Sequence, residues 1–516
     1  MLYSRMALSL GRHLRTPVDR DPEGTVRRLI EKRGTNFLWL AKDLFGNPEH
    51  PYSQLFKVAG CSYADLEKAV IADGVEPTLQ ALMREGVYVS HDEFRGKKEI
   101  VRGGRHIRST AASWLNGRDK GAIGCSTSGS SGRPIATTGG SARTSHMEAH
   151  TLLLLRELDS GKPAMVSLAP TLPGYGIVSL LVFARVNHGF ERWLAIGGRN
   201  WRNLAYRAVT RCLVTQMRWM GAQAPYPAYL GQNDFLPVAS YLAQRCGEGA
   251  RPIVNGYVSS LTRVAAEAAH HGLDLTGCRA LCAGEALTPA KLATMECVGM
   301  EPYATYWTSE FGSLGTACHS MRSRNCVHIS LDAVALTTRP SEVMGASGVD
   351  SLCVTSLLPF AARTAINVEI GDTGVIEPCT CDCRLRSLGL HQQIRDMAAI
   401  SKVTAQGMLI GMDDLATVLE EVLPARFGGQ LGDYQIIETE GATQTEVVLR
   451  IRPGATVVPP GEVLRAFLAE TGRLYGGSLS VRSWSHSNGI RAEFGEPVFT
   501  ETGKFRPVRL LGSRTT

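Results

Sequence analysis

The sequence predicts an α/β fold: a large N-terminal α/β domain with a helical N-terminal region, followed by a small C-terminal α+β domain. Three changes of pattern along the chain predict it. From about Gly121 to Val375, short apolar runs such as Ala164 to Leu168, Arg279 to Cys282 and Leu352 to Ser356 alternate with amphipathic segments. Before about Gly103, charged and apolar positions alternate at helical spacing, as in Thr25 to Lys32 and Tyr63 to Ile71, with Pro48, Pro51 and Pro77 separating short helices. After about Arg395, Leu415 to Leu423 reads as a helix, with Asp413 and Asp414 placed to cap it, and Thr445 to Ile451 reads as a strand. The boundary is expected between 390 and 400: a large domain 1–394, of which 1–103 is a mostly helical lead-in, and a small mobile domain 395–516.

At 516 residues the chain exceeds one simple core, and its 44% hydrophobic and 20% charged residues are those of an ordinary soluble protein. A net charge of +7 suits an anionic small ligand, but it is dispersed. The Arg-rich start, Arg5 to Arg33, reads as a solvated helical face, so no nucleic-acid partner is expected. No apolar run is long enough to span a bilayer. The 13 cysteines are scattered through a long chain, the usage of reduced thiols in a cytoplasmic protein.

The stretch Cys125-Ser126-Thr127-Ser128-Gly129-Ser130-Ser131-Gly132-Arg133-Pro134 is dense in hydroxyls and glycines. Glycines let backbone N–H groups turn toward an anion and hydroxyls add donors, so the composition fits a phosphate cradle as well as a plain surface loop. Apolar residues before it and a helix-like stretch, Ser145 to Leu158, after it argue against a linker. A Walker loop is excluded, because Ser130 stands where its lysine would be.

Four more segments follow in order. Arg279 to Pro289 reads as a strand, a turn at Ala283-Gly284-Glu285, and a helix from near Pro289. In open α/β sheets, ligands gather at the carboxyl ends of strands, where this turn falls. Tyr303-Ala304-Thr305-Tyr306-Trp307-Thr308-Ser309-Glu310-Phe311-Gly312 gathers aromatics, hydroxyls and one carboxylate. Magnesium is commonly held by one or two carboxylates plus nucleotide phosphates. Val368-Glu369-Ile370-Gly371-Asp372 offers a carboxylate whose two oxygens suit a diol. Phe499-Thr500-Glu501-Thr502-Gly503-Lys504-Phe505-Arg506 ends the series.

In this order the five segments resemble the motifs of adenylate-forming enzymes: acyl-CoA synthetases, peptide-synthetase adenylation domains and luciferases. Gly132-Arg133-Pro134-Ile135, without a lysine after the proline, is similar to the phenylacetate-CoA ligase branch, as are Pro173-Gly174-Tyr175-Gly176, Ser259-Ser260-Leu261 and Gly272-Leu273-Asp274-Leu275. The resemblance implies that Thr127, Ser128, Gly129, Ser130, Ser131 and Gly132 hold phosphates. It implies that Ala283, Gly284, Glu285, Tyr306, Trp307, Thr308 and Ser309 line the nucleotide, and that Asp372 binds its ribose. Glu310 would hold magnesium, and Lys504 would stabilise charge at the α-phosphate when the small domain closes. Asp396, in Gln392-Gln393-Ile394-Arg395-Asp396, is the candidate hinge residue. Trp307, Tyr175 and Tyr257 read either as an aromatic-lined acyl pocket or as core packing.

Cys379-Thr380-Cys381-Asp382-Cys383 puts three thiols within five residues. Such spacing chelates a soft metal or stands as free thiols. Relatives in the branch carry a similar Cys, His and Cys-x-Cys set that looks like a structural zinc site. The first choice of ligands is Cys318, His328, Cys379 and Cys381, with Cys326 and Cys383 as substitutes.

The implied activity is ATP-dependent, magnesium-dependent adenylation of a small carboxylic acid, aryl or acyl, with release of pyrophosphate. The acyl group then passes to a thiol. Coenzyme A is the branch's default acceptor, and a carrier-protein thiol or an amine would use the same first half-reaction. A binding or scaffold protein that kept the fold and lost catalysis is the reading from a different class.

Overall fold

The computed structural model describes residues 2–116, 121, 123–126, 136–158, 163–172, 174–186, 189–196, 204–231, 234–340, 350–399, 412–440, 445–474, 481, 490–499 and 505–511. The lead-in holds seven helices from Leu2–Leu14 to His91–Phe94. Their starts follow from side-chain caps: Asp21 accepts from the Gly24 N–H, and Ser62 with Asp65, and Ser90 with Glu93, form reciprocal capping boxes. Phe37, Tyr52, Phe56 and Trp114 close a core between these helices and the sheet residues Ala335 and Val368, with Leu357 just past a strand end.

One 12-stranded sheet organises the large unit. Its order is Val334–Pro340, Asp350–Ser356, Val368–Pro378, Gln392–Ala399, Cys326–Ile329, Gly312–Thr316, Glu301–Thr308, Arg279–Ala283, Ile253–Tyr257, Met165–Leu168, Arg192–Ile196, Pro227–Leu230. The six strands from Glu301–Thr308 to Pro227–Leu230 are parallel neighbours, whereas every pairing from Glu301–Thr308 to Val334–Pro340 is antiparallel. The four inner strands of the parallel half, Met165–Leu168, Arg192–Ile196, Ile253–Tyr257 and Arg279–Ala283, are buried on both faces and accordingly read as mostly apolar runs. Within it the chain order reverses between Met165–Leu168 and Ile253–Tyr257, a topological switch point. One transverse row of register partners runs Tyr257, Ala283, Thr305, Thr316, His328, Gln393, Glu377.

The strand Gln392–Ala399 pairs with the large sheet through Ala399, so the predicted boundary after 394 falls inside it. Opposite Gly374 it carries an extra residue, and Asp396 there has φ +53, a left-handed position that a short Asp side chain tolerates. The small unit is a four-stranded sheet, ordered Ile490–Phe494, Thr445–Ile451, Tyr434–Glu440, Val508–Leu511, packed on its own core of Leu419, Tyr434, Leu449 and Phe467. The helix expected over Leu415 to Leu423 is broken into Met412–Thr417, a π-turn Val418–Val422 and Leu423–Phe427. Pro424 accounts for this: its ring would strike the carbonyl of residue 420 in a regular helix, and the wider turn makes room. Asp413 and Asp414 stand inside the first turn rather than at the cap, because the helix begins at Met412. A buried ion pair, Lys291 Nζ to Glu420 Oε2 at 3.1 Å, joins the two units. Among the described residues no helix is long and apolar enough to cross a membrane.

Candidate functional site

Among the described residues, Ala283, Gly284, Glu285 and Tyr306, expected to line a nucleotide, lie at the carboxyl ends of parallel strands. Ala283 ends its strand, and Gly284 follows with φ +75, a turn that a side chain would strain. The helix Pro289–Glu296 then begins behind Thr288, which accepts from the Lys291 N–H. Glu285 is held at the start of the helix Val258–His270: its oxygens accept from the Ser259 N–H and the Ser259 hydroxyl, both at 2.9 Å. A carboxylate there is stabilised by the helix dipole.

Asp372 lies across the sheet in Val368–Pro378, just after Gly371 with φ +81. The Tyr306 hydroxyl donates to its Oδ2 at 2.6 Å. Burial and then the Asp372 charge push the Tyr306 phenol well above its ordinary range, so it stays a donor. The small unit sends Arg506 to the same place. Burial pulls its guanidinium below the ordinary value, while Glu285, Tyr257 and Asp372 counter that pull. Arg506 thus brings the end of the predicted Thr-Gly-Lys segment within electrostatic reach of both carboxylates. Its neighbours Phe499 and Phe505 are buried against each other at 5.9 Å, with Arg263 over the Phe499 ring. Lys504 itself lies outside the described residues.

Thr127, Ser128, Gly129, Ser130, Ser131 and Gly132 also lie outside the described residues. Their flanks, Ile123–Ser126 and Ala136–Gly139, pair antiparallel, with Ser126 opposite Ala136. The helix Ser141–Glu157 starts directly afterwards, and its Arg143 donates to the Ser309 carbonyl at 2.8 Å. That bond ties the helix after the loop to the turn carrying Glu310, which joins Glu301–Thr308 to Gly312–Thr316. The Thr308 hydroxyl accepts from the Phe311 N–H and closes this turn. Glu310 faces the buried Arg363, whose guanidinium it helps keep charged against burial. Trp307 stands opposite Ser313, beside a register shift after Tyr306.

Around the strand-order reversal, Tyr175 and Tyr257 meet edge to face at 5.3 Å. Sequence reasoning missed Ser167 and Asn255 beside them, register partners on neighbouring strands. Asn255 Nδ2 donates to Ser179 Oγ at 2.8 Å. Asn255 Oδ1, Ser167 Oγ and the Tyr175 hydroxyl are buried without hydrogen-bond partners, at a typical penalty of about 1–3 kcal/mol each. The available signal was a lone polar residue inside each of two apolar runs, Met165–Leu168 and Ile253–Tyr257.

A second cluster lies further along the sheet. The structure brings Cys318, His328, Cys381 and Cys383 together, their ligand atoms all within 4.8 Å of one another. Cys318 and Cys381 sulphurs are 3.8 Å apart, and His328 Nε2 is 3.3 Å from both Cys381 and Cys383. Bonds of about 2.3 Å from a tetrahedral zinc imply about 3.8 Å between sulphurs. His328 Nδ1 donates to the Leu390 carbonyl at 2.8 Å, which turns the Nε2 lone pair into the cluster. Cys383 caps the short helix Arg384–Ser387, accepts from the Arg386 N–H, and is pulled down to about 3 by the Cys318 thiol, with His328 adding to the effect. Cys383 takes the corner expected of Cys379. Cys379 stands on the other side of the ring, 3.6 Å from Nδ1, with its N–H bonded to the His391 carbonyl. Cys326 is buried outside the cluster, its thiol pushed up to about 11 by burial.

A third group was not foreseen. His146 and His150, one turn apart on Ser141–Glu157, hold Asp332 Oδ2 at 2.7 and 2.9 Å in a fully enclosed site. His-x-x-x-His on a predicted helix was the signal available for it.

No family model matches the chain, and no curated protein matches it by sequence. Among solved structures, the fold is similar to 2-hydroxyisobutyryl-CoA ligase in the postadenylation state in complex with R3-HIB-AMP: TM-score 0.55, 14% identity, covering 94% of this chain and 89% of that one. The same ligase in complex with 2-HIB-AMP gives a TM-score of 0.51 at 14% identity, with 94% and 89% covered. The chain has the fold of these acyl-CoA ligases.

Proposed function

We propose that the chain is an ATP-dependent, AMP-forming acid ligase that joins a small carboxylic acid to coenzyme A through an acyl-adenylate. The observation that carries this reading is the meeting of Asp372, Glu285, Tyr306 and Arg506 at the carboxyl ends of the parallel strands, with groups from both units. It is supported by the fold shared with a CoA ligase that binds HIB-AMP in its postadenylation state. Asp372 would accept from the ribose hydroxyls, with Tyr306 fixing its orientation. Ala283 and Gly284 would present backbone to the adenine, and Glu310 would hold magnesium. Thr127 to Gly132 would hold phosphates, and Lys504 would stabilise the charge that develops at the α-phosphate. Asp396 is the proposed hinge, and the small unit is proposed to begin after the strand that carries it.

Cys318, His328, Cys381 and Cys383 form the proposed structural zinc set. Their separations fit a tetrahedral ion, and their four side chains fill its coordination, leaving no open position for chemistry.

Pyrophosphate release over a panel of aryl and aliphatic acids at saturating ATP tests the ligase. Lys504→Ala is expected to reduce it at least about 100-fold, the scale of losing one group that stabilises transition-state charge. Unchanged release by this variant removes Lys504 from the chemistry. No release by the parent chain with any acid favours the scaffold reading.

A further inference from the structure

Glu157 is the last residue of the helix Ser141–Glu157, and its side chain is only 2% exposed. Both circumstances disfavour a carboxylate. The final turn of a helix carries the negative end of its dipole, and a charge taken out of water needs hydrogen-bonded partners. The partners of Glu157 explain its position. Oε1 accepts from the His319 N–H at 3.4 Å and meets His319 Nδ1, which carries the proton because an ionised carboxylate only accepts. Oε2 accepts from the Arg384 N–H at 3.1 Å. His319 follows Cys318 in the chain, and Arg384 follows Cys383. One carboxylate therefore bridges the two segments that deliver these thiols, the 3-10 turn His319–Met321 and the short helix Arg384–Ser387. His328 has anchors of its own, the strand Cys326–Ile329 and the Leu390 carbonyl. Cys318 and Cys383 lie outside any strand, so their separation depends on what grips the residues after them.

We propose that Glu157 is a positioning residue for the metal set of Cys318, His328, Cys381 and Cys383: without ligating, it holds Cys318 and Cys383 at the separation an ion needs. The proposal deepens the zinc reading of that set and rests on it. With Glu157 in place an ion meets thiols already spaced for it. Without Glu157, binding must also draw the two segments together, and that cost falls on metal retention. Groups outside the coordination that orient the ligands commonly set metal affinity by about 10–100-fold. A second tie between the same helix and the same segment supplies a control. Glu23 Oε1 accepts from Arg384 at 3.0 Å and from Arg156 at 3.4 Å. All three of these side chains are partly exposed, so water screens the tie and it holds weakly.

The test is transfer of zinc from the loaded full chain to a chromogenic chelator, together with the visible absorption of the cobalt-loaded chain, which reports tetrahedral thiolate ligation. Glu157→Ala is expected to weaken zinc retention about 10–100-fold and to alter the cobalt spectrum. Glu157→Gln keeps an oxygen that can accept from the Arg384 N–H but loses the second acceptor, so its effect is expected to be smaller and in the same direction. Glu23→Gln is expected to leave retention and spectrum unchanged. If Glu157→Ala fails to fold, Glu157→Gln carries the test. Zinc retention in the Glu157 variants equal to the parent's overturns the inference and leaves the zinc reading in place, as does an equal loss in Glu23→Gln. A parent chain that takes up neither zinc nor cobalt overturns the zinc reading and the inference with it.

Discussion

Two buried clusters of metal-binding residue types lie beside the same sheet and differ first in their spacing. Cys381 lies 3.8 Å from Cys318 and 3.4 Å from Cys383, and His328 Nε2 lies 3.3 Å from Cys381 and Cys383, whereas His146 and His150 reach Asp332 at 2.7 and 2.9 Å. The first set has room for an ion at its centre. The second has room for a proton. Residue type alone would have nominated both, since two histidines and a carboxylate are as good a metal set as three thiolates and a histidine. The second set also lacks the backbone carbonyl that orients His328. Its histidines aim their Nε2 atoms at the carboxylate, so both nitrogens are spent on hydrogen bonding.

The largest expected effect separates the two clusters by metal content. The parent chain is expected to carry stoichiometric zinc by elemental analysis, Cys381→Ser to lose it, and Asp332→Ala to keep it. Zinc retained by Cys381→Ser, or lost by Asp332→Ala, would reverse the comparison. A smaller effect is on stability. Asp332→Ala leaves two buried imidazoles without their acceptor and is expected to lower the unfolding free energy by about 1–3 kcal/mol, measured by denaturant titration. No change in midpoint would show the clamp to be ornamental.

The smallest effect is on pH dependence. Burial alone would raise the Asp332 carboxyl, but His150 and His146 hold it well below the usual carboxylate range. A depressed carboxyl contributes stability above its unfolded value and loses it as pH falls. The parent is therefore expected to lose stability faster than Asp332→Ala between about pH 5 and 3, by up to about 1.4 kcal/mol per unit. Burial lowers His146, while the charge of Asp332 and its bond raise His150 against burial. The two histidines are displaced in opposite directions, so His146 favours the fold as pH rises and His150 as pH falls. Parallel melting curves for parent and variant across the acid range would contradict the assignment.

Much of this was readable where local chemistry decides. The capping boxes at Ser62 and Ser90, the proline-led starts at Pro22, Pro51 and Pro289, and the apolar runs of the parallel strands announce their elements without tertiary help. What the sequence left open was set by direction. Cys379, Cys381 and Cys383 alternate as if along one strand, which favours no particular pair. The turn into Arg384–Ser387 swings Cys383 inward, and the ladder to His391 holds Cys379 on the far side of the ring. The π-turn before Pro424 was hidden because the apolar spacing of Leu415 to Leu423 is helical on either side of the slip. Ser167 and Asn255 were hidden for a different reason: one polar residue does not disturb an apolar strand pattern, and only the paired register shows that the two share a face.

The transverse row that joins Tyr257, Ala283, Thr305, Thr316 and His328 links the cysteine cluster to the proposed nucleotide residues up to four strands away, about 19 Å at the usual strand spacing. Strand pairing has a period of two, so a slip of one residue anywhere along that row would turn every side chain beyond it to the opposite face. His328 is gripped from both ring nitrogens, by a backbone carbonyl on one and by thiols on the other. Its strand, Cys326–Ile329, is thereby fixed two places along the sheet from the strand that presents Tyr306 to Asp372.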